Sequence, residues 1–290
     1  MRAQRARLDG GRWHFQHGPI DIVIGADGDD IALAAAHEAA WCRFQTVLTE
    51  LVAELPALRL PVRGPCALQG VIARRMWLAC RPYHSAFITP MAAVAGSVAQ
   101  ELVACYERPG VVRAWVNNGG DIALHLAPGA SARVGLFADL ASLDPAQVRS
   151  DGHFDVTADM EVRGVATSGW RGRSFSLGIA DSVTVLARTA ARADAAATMI
   201  ANAVDVADAR IRRAPANTLK DDSDLGEIPV TTDVPPLEPA LVQRALLAGQ
   251  QRARELQRDG LIHSAVLVCQ RAWLRVEARA VEPEVGSVFA

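Results

Sequence analysis

The strand-like runs of this chain come as hairpins rather than as single runs spaced by helices, and that constrains its fold more than any other feature. Val111 to Val116 and Ile122 to Leu126 are β-rich, and Asn117-Asn118-Gly119-Gly120-Asp121 between them tolerates the positive φ of a hairpin turn. Arg12 to Ile24 alternates around Gly18-Pro19 and reads as a further hairpin. Ala132 to Ala138, Val162 to Ala166, Ser182 to Leu186 and Ile262 to Cys269 have strand length and composition, whereas Asp139 to Asp159 reads as loop. This pattern predicts an α+β architecture of mainly antiparallel sheet packed with helices. No GxGxxG follows the first strand and no GxxxxGK[ST] occurs, which argues against a doubly wound nucleotide fold.

Asp29 or Asp30 can cap a first helix in which Trp41, Phe44, Leu48, Leu51 and Leu55 recur at helical spacing until Pro56 ends it. Gly70 to Cys80 fits a strand or a helix equally well. Thr89-Pro90 reads as an N-cap followed by proline at the first helical position, with the helix running through Met91, Val94, Val98, Leu102 and Tyr106 to Gly110. Another helix runs from Thr189 or Ala190 to about Val206. Residues 213–239 are polar and proline-rich, with the acidic Asp221-Asp222-Ser223-Asp224, and read as a linker or surface excursion. They divide a core, residues 1–212, from a C-terminal helix (Pro239 to Asp259, closed by Gly260) and strand within 240–290 that pack back on it. Glu282 to Ala290 reads as frayed.

With 290 residues, half of them hydrophobic, the chain is long enough to bury a full core. Its net charge of -2 gives a polyanion no bulk attraction, so nucleic acid is not an expected partner. No run of eighteen apolar residues occurs, and the start MRAQRARLDGGRW lacks the apolar centre of a signal peptide, so the expectation is a cytoplasmic protein without a membrane partner. Cys42, Cys66, Cys80, Cys105 and Cys269 form no CxxC pair and read as reduced packing thiols. Alanine-rich helices and hairpin edges suit a homodimer.

Four stretches carry candidate chemistry, each with an ordinary structural alternative. Thr89 to Ser97 is rich in small residues, and a helix start there offers N–H groups and partial positive charge to a phosphate; a tightly packed, capped core helix explains the same residues. Asn117 to Asp121 can wrap a ligand with backbone N–H groups while Asp121 holds a hydroxyl or metal-bound water, or be a plain turn. Gly164 to Trp170 leaves a strand through hydroxyls and glycine, and Arg171 and Arg173 follow with forked donors for phosphate; they can equally be surface arginines. Asp194 and Thr198, at i and i+4, share a helix face and suit Mg²⁺; the alternative is a solvated Asp and a Thr bonded back to its own helix.

Taken in order, TPMAAVAG at Thr89 to Gly96, NNGGDI at Asn117 to Ile122, GVATSG at Gly164 to Gly169, ADSVTV at Ala180 to Val185 and ADAAAT at Ala193 to Thr198 resemble the ApbE-like superfamily. Its best-known members are FAD:protein FMN transferases, and the resemblance is stronger to its cytoplasmic branch. The resemblance implies an FAD-binding α+β fold in which Asp194 and Thr198 help hold Mg²⁺. It puts Asn118, Gly119, Gly120, Asp121, Thr167, Ser168 and Gly169 near the flavin nucleotide, together with Thr89 and Met91 of the first block and Arg173 beyond the third. The implied reaction has a threonine of an acceptor flavoprotein attack the FAD pyrophosphate, so that FMN becomes attached and AMP leaves, with Asp194 as the catalytic carboxylate. Classical members carry a histidine soon after the Thr-Ser-Gly turn, where this chain reads Trp170-Arg171-Gly172-Arg173-Ser174-Phe175-Ser176. That departure also admits a flavin- or pterin-binding protein without transferase activity, or a cofactor-pathway enzyme acting on a pterin-like or phosphorylated small molecule.

Overall fold

The computed structural model describes residues 2–136 and 152–278. The chain opens with strands β1 (Gln4–Arg7), β2 (Trp13–His17) and β3 (Ile20–Gly28), then helices α1 (Asp30–Ala53), α2 (Leu55–Leu58) and α3 (Val71–Cys80). A 3-10 turn at Pro90–Ala93 leads into α4 (Val94–Val103), followed by β4 (Val111–Asn118), β5 (Asp121–Leu126) and β6 (Ser131–Leu136). Next come β7 (Gly152–Thr157), β8 (Gly164–Ser168), β9 (Ser182–Ala187) and α5 (Ala190–Ala203). The last part holds β10 (Arg212–Pro215), α6 (Ala216–Leu219), β11 (Pro229–Asp233), α7 (Pro239–Arg258), β12 (Ser264–Cys269) and β13 (Ala272–Val276).

Nine strands form one sheet in the order β1-β2-β3-β4-β5-β8-β9-β12-β13, and each neighbouring pair is antiparallel. The expected mix of helices and antiparallel sheet is therefore what the chain forms. Hairpins dominate because their turns are cheap to close: Gly119 and Gly120 take φ of 67° and 110°, the left-handed pair that a two-residue turn demands. One face of the sheet is covered helix by helix along its width, α1 over β2 and β3, α4 over β4 and β5, α5 over β8 and β9, and α7 over β12 and β13. Alternation sends Val183, Val185 and Ala187 to that face, and Leu124, Leu126, Val165 and Leu186 to the other. There the β6–β7 hairpin closes a smaller core with Val134 and Val156.

Several expectations are corrected. Gly70 to Cys80 is settled as helix α3, whose buried Ile72, Ala73, Met76, Ala79 and Cys80 follow a helical period. The stretch expected to be loop up to Asp159 contains β7 at Gly152–Thr157, because His153 to Val156 pair with β6; residues 137–151, and Glu282 to Ala290, lie outside the described residues. Asp29 caps α1, its carboxylate accepting from the N–H groups of Ile31 and Ala32, both at 3.0 Å. Thr89 does not cap α4: the helix begins after the 3-10 turn, and the Thr89 hydroxyl instead donates to the Asp224 carboxylate. Within 213–239, β11 pairs with β10, and the Thr231 N–H donates to Ser176 O at 2.9 Å.

Two glycines set how closely α5 approaches its neighbours. A Cβ on Gly164 would lie 2.2 Å from the backbone N of Ala190, and one on Gly96 would lie 2.4 Å from Ala190 O. Gly164→Ala should therefore destabilise the fold by about 3 kcal/mol through forced separation of β8 and α5. A urea midpoint unchanged from wild type would contradict this packing.

Candidate functional site

The site is built where the N-terminus of α4, the β4–β5 turn, the end of β8 and the first half of α5 meet. Helix α4 starts after Ala93, which has no side chain able to cap it. The missing acceptor comes from another helix. The carboxylate of Asp194 accepts from the Gly96 N–H at 2.9 Å and from the N–H of Ala95. It thus caps α4 across 98 residues of sequence, and the N–H groups expected to suit a phosphate are already engaged by a carboxylate.

The β4–β5 turn is tied to the same place. Asn118, buried at the end of β4, donates from Nδ2 to Ala95 O at 3.1 Å, and Asn117 Oδ1 accepts from the Gly120 N–H at 2.8 Å. Asp121, the first residue of β5, is buried, and its Oδ1 accepts from the Thr167 N–H at 3.2 Å. Thr167 is held in turn by a 2.9 Å hydroxyl contact with Thr184. Two carboxylates from distant parts of the chain are thereby drawn close enough to feel each other's charge. Burial and then the Asp194 charge push the Asp121 carboxyl well above its ordinary value, against the opposing pull of the Thr167 N–H and the Arg173 guanidinium. Burial likewise raises Asp194, opposed by the Gly96 and Ala95 N–H groups. Asp194 keeps a partly exposed edge, as does Thr198 one turn on, so the pair can be reached from solvent.

An acid pair of this kind, with the Thr198 hydroxyl beside it, offers only hard oxygen donors. Among the described residues no group of three or more His, Cys, Asp or Glu side chains is poised to hold a metal. A cation here would therefore keep part of its water shell, which is how Mg²⁺ is usually bound. The carboxylate oxygens of the pair are donors that would suit such a cation.

Of the residues singled out from sequence, Asn118, Gly119, Gly120, Asp121, Thr167, Asp194 and Thr198 converge here, and Arg173 lies against Gly119, where an added Cβ would be 2.5 Å from its guanidinium. Ser168 and Gly169 continue from β8, with Gly169 wedged so that a Cβ would meet Asp181 O at 2.3 Å. Thr89 and Met91 flank the 3-10 turn that packs beside α5; Thr89 is buried against Asp224, and Met91 packs on the core. In the loop after Gly169, Arg171 lies 5.0 Å over the Trp170 ring and pairs with Asp181 at 3.5 Å. The Trp170 Nε1–H is buried without a hydrogen-bond partner among the described residues.

One neighbour of the site has no signal in the sequence. Asp224 belongs to the acidic run of the expected excursion, yet reaches Thr89 over 135 residues. Cys80 packs in the core as expected, and its thiol is pushed up by burial and by the charge of Asp194.

A protein family described as AbpE bacteria matches residues 4–280 of the chain. The UPF0280 protein of Methanopyrus kandleri is 36% identical over 205 residues, covering 67% of this chain and 75% of the relative. That of Methanothrix thermoacetophila is 30% identical over 242 residues, covering 80% and 95%. Among solved structures, the ApbE protein of Thermotoga maritima aligns with a TM-score of 0.49 at 12% identity over 94% of this chain and 97% of that one. The apo flavinyl transferase ApbE of Pseudomonas stutzeri aligns at 0.43 and 13% identity over 96% and 94%.

The charge conflict has a measurable consequence without ligand. Asparagine at 121 keeps an oxygen for the Thr167 N–H and removes one negative charge, so Asp121→Asn should raise the melting temperature at pH 8 by about 2 °C. Both carboxyls have folded values above their unfolded ones, so the destabilisation is fully present above the folded values and is relieved as pH falls through them. The advantage of the variant should accordingly shrink between pH 8 and pH 5; a variant less stable than wild type at pH 8 would refute the conflict.

Proposed function

The chain belongs to the AbpE bacterial family and so to the ApbE-like superfamily, and on that footing we propose that it binds FAD with Mg²⁺ and transfers FMN to a threonine of an acceptor flavoprotein, releasing AMP. The observation that carries this reading is the acid pair of buried Asp121 and half-buried Asp194, whose charge sits beside the Gly119-Gly120 turn and the Arg173 guanidinium. A divalent cation and a phosphate-bearing ligand together would satisfy both signs of charge.

In this reading Asp194 and Thr198 hold Mg²⁺, with Asp121 alongside. When bound, the cation would neutralise charge that develops on the phosphate oxygens. The chain's own groups do the rest. Arg173 pairs with a pyrophosphate oxygen through its forked donors. The Gly119-Gly120 turn and the Thr167-Ser168-Gly169 turn lie along the nucleotide, and Thr89 and Met91 border it. Asp194 orients the acceptor hydroxyl, whose oxygen forms a bond to the FMN phosphorus as the bond to AMP breaks and whose proton passes to solvent. The Thr167 N–H holds the Asp121 carboxylate and the Gly96 N–H that of Asp194, so both are in place before ligand arrives.

Incubation with FAD, MgCl₂ and a threonine-bearing acceptor should release AMP, measurable by chromatography, and Asp194→Ala should lower the rate by about 100-fold or more. A second reading is favoured by the loop at Trp170 to Ser176, where an indole N–H without a partner stands in the region of the classical histidine. In that reading the site retains a flavin or pterin through the Trp170 donor and performs no transfer. Ligand that raises the melting temperature without AMP release would select it over the transferase. Failure of flavins and pterins alike to shift the melting temperature would remove both.

A further inference from the structure

On the side of α5 away from Asp194, a groove of about 900 Å³ runs between α3, the start of α4's neighbour α5 and the turn after α3. Arg192 precedes Asp194 by two residues, about 200° around the helix, so the groove and the acid pair occupy opposite sides of it. Its lining includes Arg74, Arg75, Arg81 and Arg192 and not one acidic side chain. Arg75 is already neutralised, pairing with Glu101 at 2.8 Å and donating to Ser97 O. The other three are different. Arg74 and Arg192 are exposed and make no ion pair among the described residues, and Arg81 only stacks 5.8 Å from the Trp77 ring. Three guanidiniums gathered without counter-charge are notable on a chain whose net charge is -2, because the bulk field of the protein does not explain them.

The wall beside them is apolar. Val71 is 62% exposed and Leu78 56% exposed, one on each of the first two turns of α3 and both lining the groove. The α5 N-terminus adds nothing, since the Arg192 N–H is taken by the Thr189 hydroxyl and the Ala191 N–H by Gln100. The recognition is thus a matter of side-chain forks set against an apolar strip. Guanidinium forks bind carboxylate and phosphate oxygens in pairs, and a groove of this volume accommodates a small organic molecule.

The geometry points to a second ligand site: the groove of Arg74, Arg81 and Arg192 binds a small organic polyanion carrying two or more phosphate or carboxylate groups, with its apolar part against Val71 and Leu78. It does not rest on the flavin reading, since it uses none of the residues of the acid pair. A ligand held by Arg192 also touches the first turn of the helix that carries Asp194.

The test uses the full chain, freed of divalent ions by passage over a chelating resin, with inorganic tripolyphosphate and citrate as probes in titration calorimetry. Either probe should bind, with affinity falling as NaCl is raised, and the Arg74→Gln/Arg192→Gln double variant should weaken it by about tenfold or more. Both side chains are exposed, and an unchanged melting temperature for the double variant will establish that it is folded. Binding of tripolyphosphate alone identifies phosphate as the recognised group, and binding of citrate alone identifies carboxylate. The proposal is overturned if neither probe binds, if the double variant binds as wild type does, or if only a glutamate-rich peptide binds, which would make the groove a protein-docking surface.

Discussion

The bond from the Gly96 N–H to the Asp194 carboxylate organises the centre of this molecule. A helix beginning after an alanine leaves its first N–H groups unpaired, and buried unpaired donors are costly. Asp194 supplies the missing acceptor from α5 and so fixes α5 against α4. The close approach of α5 to α4 and to β8 depends on glycine at 96 and 164, where a side chain would strike the Ala190 backbone. Once α5 is fixed, Asp194 also comes to face Asp121 at the base of the β4–β5 turn. The same bond that completes one helix therefore brings two negative charges together.

On the proposed reading, this arrangement would couple ligands of opposite sign. A lone anion approaching the start of α4 meets N–H groups already engaged and a field set by two carboxylates. A cation bound there first would turn that field around and favour the anion, and by linkage the anion would strengthen the cation to the same extent. On the proposed reading, the conflict between Asp121 and Asp194 prepares the site for binding at the expense of stability in the empty protein.

What could be read from the sequence was local or repeated. The Asn117 to Asp121 turn announces itself because Gly-Gly satisfies a backbone requirement within two residues, and Asp29 can be recognised as a cap because its partners lie two and three residues on. Asn118, Asp121, Thr167 and Asp194 were found through the order of their blocks rather than through any single one. Thr89 shows the limit. Its place before a proline fits a cap, yet its hydroxyl is claimed by Asp224 from the far end of the chain, and nothing near either residue encodes that pairing. The run of residues 70–80 is apolar enough for strand or helix, and only the neighbours it packs against, α4 and α5, decide for helix. Cys80 gains its connection to Asp194 in the same way, through packing of α3 on α5.

The helical layer follows the sheet in chain order, α1 over the first strands, α4 over β4 and β5, α5 over β8 and β9, and α7 over the last. Each piece is largely local, and hairpins such as β4–β5 close in microseconds. The seam between the second and third pieces is not local, for it waits on contacts such as Gly96 to Asp194, 98 residues apart. Closing such a contact carries the loop-closure entropy of a long separation, so the acid pair depends on non-local structure in a way that the hairpins do not. A partly folded chain could hold native hairpins and helices and still have no site at all.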